Sequence, residues 1–145
     1  MTTRYPVPAK LGIEQDAYLR WLRRKAAAHL KRDRKRCKYA ISGEEYRKLI
    51  HAAVEDHGTH DFYTGEELCW SLVSTWDNDD SSAGHSGYKA GFALLPTIDH
   101  IIGDDGRFGF VICGWRTNDA KSDLDYPAFV ALCRKVIAVA ARRAM

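Results

Sequence analysis

No apolar run in the sequence approaches the roughly 20 residues that a helix needs to cross a bilayer, which excludes an ordinary membrane-spanning helix. The first residues, MTTRYPVPAKLG, lack the apolar core of a secretion signal, so the expected location is the cytoplasm. Cysteine is sparse. Cys37, Cys69, Cys113 and Cys133 lie far apart and form no CxxC pair, so spacing supports neither a disulfide framework nor a zinc knuckle, and reduced thiols are expected. There is no internal repeat and no low-complexity tract. No basic segment is interleaved with aromatics, which removes the usual sign of a single-strand or RNA reader.

What is present is globular. The chain has 145 residues, 46% of them hydrophobic and 28% charged, as expected of one soluble domain over 1–145, with a basic helical part at 1–58 and the remainder at 59–145. The net charge of +3 conceals an asymmetry. Between Lys10 and Lys38 eleven basic residues face three acidic ones, a local +8, whereas from Tyr39 onward the balance is −6 and Arg4 supplies the last positive charge. One end of the chain is therefore built to meet an anion.

From about Ile13 to Lys38 there is neither Pro nor Gly, and Ala, Leu, Arg and Lys dominate, so the spacing predicts a long helix. At 100° per residue Arg20, Arg24, Lys31, Lys35 and Lys38 fall within about 60° of arc, a candidate nucleic-acid-binding stripe, while Leu19, Leu22, Ala26, Leu30 and Cys37 gather on another side. A second helix follows in ISGEEYRKLIHAAVEDHG: Ser42 caps it, Glu45 closes a capping box, Tyr46, Leu49, Ile50, Ala53 and Val54 supply an apolar face, and Gly58 ends it. HGTHD, with His57, His60 and Asp61, reads as a polar loop rather than a metal site. LCWSLVSTW is either a strand or a short buried helix, with helix preferred, and Asp77 to Gly87 reads as a loop. YKAGFALLPTIDHI and GRFGFVICGW read as two strands joined through Gly103, Asp104, Asp105 and Gly106 as a hairpin. Thr117 is then the expected cap of a helix over TNDAKSDL. Asp125 with Pro127 starts a final helix whose Phe129, Leu132, Val136 and Val139 should face the core, with Arg142 and Arg143 at its negative end.

The stretch LLPTIDHIIG is apolar except for Asp99 and His100, two residue types seldom buried without partners. Asp99 and, after the second strand, Asn118 offer hard oxygen ligands suited to Mg²⁺ or Mn²⁺, and an imidazole at His100 can take a proton from water near neutral pH. Neighbouring strand residues point to opposite faces, so a shared site predicts that the backbone leaves strand geometry near Asp99.

Over roughly Phe62 to Val136 the sequence resembles the HNH endonucleases of the ββα-metal fold. FYTGEEL is similar to that family's YTGxxL segment, LLPTIDHI to its Asp-His strand, and TNDAKSDLDYPAFVALC to its Asn-x-x-Lys helix and the helix beyond. The resemblance implies an α+β fold in which N-terminal helices pack on a ββα-metal core with a C-terminal helix. It implies a metal-dependent endonuclease acting on duplex DNA, with one Mg²⁺ or Mn²⁺ on Asp99 and Asn118, His100 as general base, and Lys121 holding a phosphate or the helix packing. Many members carry zinc-binding Cys pairs, but the corresponding positions here hold Asp61, Gly114 and Thr117, so no structural zinc is expected. The family's final His is also missing, leaving water, phosphate, Asp119 or Asp123 to complete the metal sphere. A noncatalytic nucleic-acid-binding module on the same core is the alternative.

Overall fold

The computed structural model describes residues 4–35, 42–74, 91–102 and 108–144. Its main elements are α1 (Gln15–Lys35), α2 (Gly43–His57), β1 (Pro96–Ile102), β2 (Phe108–Gly114), α3 (Trp115–Lys121) and α4 (Tyr126–Arg143), with 3-10 turns at Ala9–Leu11 and Trp70–Ser74. The result is a mixed α+β arrangement of N-terminal helices, an antiparallel two-stranded sheet and C-terminal helices. Lys38, Cys37, the Asp77–Gly87 loop and the Gly103–Gly106 turn fall outside the described residues.

α1 buries the stripe Tyr18, Trp21, Leu22, Ala26, His29 and Asp33. α2 starts where expected, with the Ser42 hydroxyl accepting from the Glu45 N–H, and buries Tyr46, Ile50, Ala53 and Val54. Together with Ile98, Phe110 and Ile112 from the inner face of the sheet, these side chains form the core. Burial of each large apolar group there is worth about 1.5–3 kcal/mol. A two-stranded ribbon cannot stand alone, and α1 and α2 supply the layer that covers one of its faces.

α1 meets β1 through side chains four and eight residues apart: the Trp21 indole donates to the Pro96 carbonyl at 3.0 Å, Lys25 donates to the Thr97 hydroxyl at 3.0 Å, and Asp33 reaches His100. This spacing keeps one helix edge against the strand over its whole length.

Several expectations need correction. The first strand begins at Pro96, because Phe92 to Leu94 turn and the Leu95 N–H is spent on the Phe92 carbonyl; the expected start at Tyr88 lies outside the described residues. LCWSLVSTW contains a 3-10 turn at Trp70–Ser74, the helical alternative. α3 begins at Trp115 with Gly114 as its cap, so Thr117 is a buried residue inside the helix. No side-chain cap is needed, since the Trp115 and Arg116 N–H groups donate to the carbonyls of Leu95 and Ala93 at 2.9 and 3.1 Å. α4 is capped by Asp125 with Pro127 in its first turn, as expected, but it buries no residue: of the expected core face Leu132 and Val136 are exposed and Phe129 and Val139 only half-buried.

Candidate active site

β1 pairs with β2 without interruption from Pro96↔Gly114 to Ile102↔Phe108, so the backbone does not leave strand geometry at Asp99. The Asp99 and His100 side chains consequently lie on opposite faces of the ribbon, each with its own partners. On the outer face Asp99 Oδ2 accepts from the Tyr63 hydroxyl at 2.6 Å and forms an ion pair with Lys121 Nζ at 2.9 Å. On the inner face His100 Nε2 shares a hydrogen bond of 2.9 Å with Asp33 Oδ2, which also accepts from the Tyr46 hydroxyl. The His100 ring stacks on Phe110 at 5.1 Å.

The free edge of β1 reunites them. A cleft of about 1010 Å³ runs along that edge between α1 and the C-terminal segment, and Asp99, His100, Asn118 and Lys121 all line it. Asp119 and Asp123, the possible further metal ligands, line it too. The expected departure from strand geometry is absent, so Asp99 and His100 border the depression from opposite faces of β1 rather than from one shared face.

Lys121 is held differently from a phosphate ligand. It is 4% exposed, and its ammonium donates to the Leu124 carbonyl as well as pairing with Asp99, which fixes α3 against β1. Burial, followed by the hydrogen bond to Asp99, holds the Tyr63 phenol well above its ordinary range, so Tyr63 remains a donor. The Tyr63 ring in turn meets Tyr126 and Phe129 at 5.5 and 6.0 Å, joining the first turn of α4 to the same aromatic cluster.

The cationic stripe lies elsewhere. Arg20, Arg24, Lys31 and Lys35 are exposed, but at 100° per residue they sit about 180° around α1 from Leu22, His29 and Asp33, the side turned toward the ribbon. The α1 cation that lines the cleft is Arg32, which the stripe leaves out. His29 also lines it, with a buried Nδ1 that has no hydrogen-bond partner among the described residues. Burial, and then the positive charge of Arg32, pushes the His29 imidazole down to about 3, so it stays neutral.

Three participants escape the sequence reading: Asp33, Tyr63 and Arg32. Asp33 had a signal. It falls about 20° from Leu22 on the helical wheel, an acidic residue on the apolar face of an otherwise basic helix. HGTHD is more than the expected polar loop: His57 closes α2 and its Nε2 accepts from the Ile112 N–H at 3.0 Å, and the buried Asp61 accepts from the N–H groups of Tyr63, Thr64 and Gly114.

Among the described residues no three His, Cys, Asp or Glu side chains converge as a metal cluster. The expected ligand pair, one carboxylate and one amide, includes a single residue of those types. No helix among the described residues is long and apolar enough to cross a membrane. No protein-family model, curated protein or solved structure matches the chain.

Proposed function

We propose that this protein is a divalent-metal-dependent endonuclease of the HNH type that hydrolyses DNA phosphodiester bonds in the cleft along β1. The observation that carries the reading is the backing of His100 by the buried carboxylate of Asp33 in the same cleft as Asp99 and Asn118. A carboxylate behind an imidazole fixes the ring orientation and stabilises the cation formed when the ring takes a proton.

In this mechanism His100 removes a proton from the attacking water while Asp33 holds the ring. The donors Asp99 and Asn118 suit a hard cation, because both partners of Asp99 fall on Oδ2 and leave Oδ1 to serve as ligand. A cation held there would stabilise charge on the phosphate and the leaving oxygen, worth about 3–4 kcal/mol. Arg32 at the cleft wall draws in the phosphate backbone, and Tyr63 with Lys121 keeps the Asp99 carboxylate in place. A detail of the loop before the 3-10 turn supports the family likeness: at two positions where many members use zinc-binding cysteines, Asp61 Oδ2 accepts directly from the Gly114 N–H at 2.8 Å. A hydrogen bond ties the loop to the end of β2 in place of an ion.

His100→Ala should abolish nicking of supercoiled plasmid in Mg²⁺ or Mn²⁺ while leaving DNA affinity intact, and undiminished cleavage would end the assignment. A second reading is a noncatalytic DNA-binding module, favoured by the Lys121 ammonium against Asp99, a positive charge beside the carboxylate that should receive the cation. Cleavage that stops with chelator supports the enzyme; equal DNA binding with and without metal and no nicking supports the module.

A further inference from the structure

α4 is an 18-residue helix, yet none of its residues is buried; Leu132 and Val136, on one stripe, are 47% and 60% exposed, while the 67% exposed Ile137 lies about 120° around the helix from them. Among the described residues its first turn is anchored, through the contacts of Tyr126 and Phe129 with Tyr63. Large apolar side chains left open along one helix stripe mark an interaction surface rather than a solvent face. The spacing is that of a helix-pairing seam: Phe129, Leu132, Val136 and Val139 are separated by three, four and three residues.

The charges choose the occupant. Asp125 and Arg143 stand at opposite ends of this same stripe, both exposed, and both fall within about 40° of Phe129 on the wheel. In a parallel pair of α4 helices, Asp125 would face Asp125 and Arg143 would face Arg143. Turned antiparallel about a two-fold axis near position 134, Phe129 meets Val139, Leu132 meets Val136, and each Asp125 meets the Arg143 of the second copy. Opposed helix dipoles add to that preference.

We infer that α4 is the dimerisation element of this protein, and that a second copy of the chain covers its apolar stripe as an antiparallel, two-fold-related helix pair. The interface is isologous and closes on itself, so it makes a dimer and not a filament. Because Tyr126 and Pro127 line the cleft, the pairing also fixes the position of one cleft relative to the other. The inference is independent of the catalytic reading, and His100→Ala should self-associate unchanged.

A helix pair of about 27 Å covers an area at the small end of specific interfaces, about 1,000 Å² in total, so dissociation in the range of about 1–100 µM is expected. Sedimentation equilibrium of the full chain across that range should show the mass rising from 16.4 kDa toward twice that value. Val136→Asp, at an exposed position, should keep the far-UV circular dichroism and the unfolding midpoint of the parent and remain at the monomer mass. For direction, Leu132→Cys and Val136→Cys chains in a Cys133→Ser background are mixed and oxidised, and the cross-links are mapped by mass spectrometry. Disulfides joining unlike chains should predominate. A monomer at every concentration, a dimer that survives Val136→Asp, or a predominance of like-to-like disulfides would each overturn the inference. So would a monomer whose Val136 is instead required for binding anionic lipid vesicles.

Discussion

Replacing Asp33 with Asn tests how the helical part of the chain reaches the chemistry. The carboxylate is buried between the Tyr46 hydroxyl and His100 Nε2, the latter at 2.9 Å, with both partners on Oδ2. Asn preserves the shape but removes the charge, and its amide can satisfy the two partners only by changing the role of one of them. Hydrogen bonds to a charged group contribute about 1.5–3 kcal/mol each. With one of the two retained at neutral strength, Asp33→Asn should lose about 2 kcal/mol, a fall in Tm of about 4–8 °C for a chain of this size. The functional effect is separate. A general base held in the wrong orientation or tautomer forfeits much of its contribution, so kcat for plasmid nicking should fall by about 10²-fold with KM unchanged. Tyr46→Phe is the control: it removes the other partner of Asp33, lowers stability by a similar amount and leaves kcat within a few-fold. Urea titration and a nicking time course on both variants give the two readouts. If Asp33→Asn is destabilised as expected but cleaves at the parent rate, Asp33 serves packing alone and its role behind His100 is refuted.

Lys121→Met should remove about 3–5 kcal/mol of stability, the range for breaking one side of a buried ion pair, with little change in DNA affinity; a stable variant that binds DNA weakly would return Lys121 to phosphate contact. His29 gives a pH signature. Its folded value is depressed from 6.5 to about 3, so below about pH 6.5 the unfolded chain takes up a proton that the folded chain refuses, and stability drains away as pH falls toward 3. His29→Leu should remove up to about 1.4 kcal/mol per pH unit from that slope in urea titrations between pH 6 and 4, and an unchanged slope would show that His29 is protonated in the folded protein. Arg32→Ala should weaken DNA binding and reduce the salt slope by about one, more than substitution of any one of Arg20, Arg24, Lys31 or Lys35; the reverse order would place the duplex on the outer stripe.

The local rules were legible. Ser42 and Asp125 announce two helix starts through side chains that accept backbone N–H groups, and the two strand-like runs around Ile98 and Phe110 announce a hairpin without showing which of its faces is covered. Asp99 and His100 could be picked out because their chemistry is out of keeping with an apolar hairpin, and Asn118 through its place in the resemblance to the Asn-x-x-Lys helix. What escaped depends on packing between distant segments. Asp33 is hidden among basic residues, and only the docking of α1 on β1 shows which edge of the helix it occupies. The start of α3 was misplaced because its first N–H groups are satisfied by carbonyls twenty residues upstream, an arrangement that leaves no capping residue to read. The inward face expected of α4 failed for a plainer reason: amphipathic spacing tells that a stripe must be covered, and is silent on whether the cover comes from the same chain.

β2 passes into α3 with no intervening loop. The Gly114 N–H is clasped by Asp61, and a Cβ at this residue would lie 2.8 Å from the Ala93 carbonyl oxygen. Asn118 therefore inherits its bearing from the hairpin as a tooth does from a gear. One alanine inserted after Gly114 would rotate everything downstream by about 100° and advance it about 1.5 Å, carrying Asn118 out of the cleft and Lys121 away from Asp99. Change in chain length should thus be tolerated far better elsewhere on the surface than at this seam, where angular phase itself is the inherited quantity.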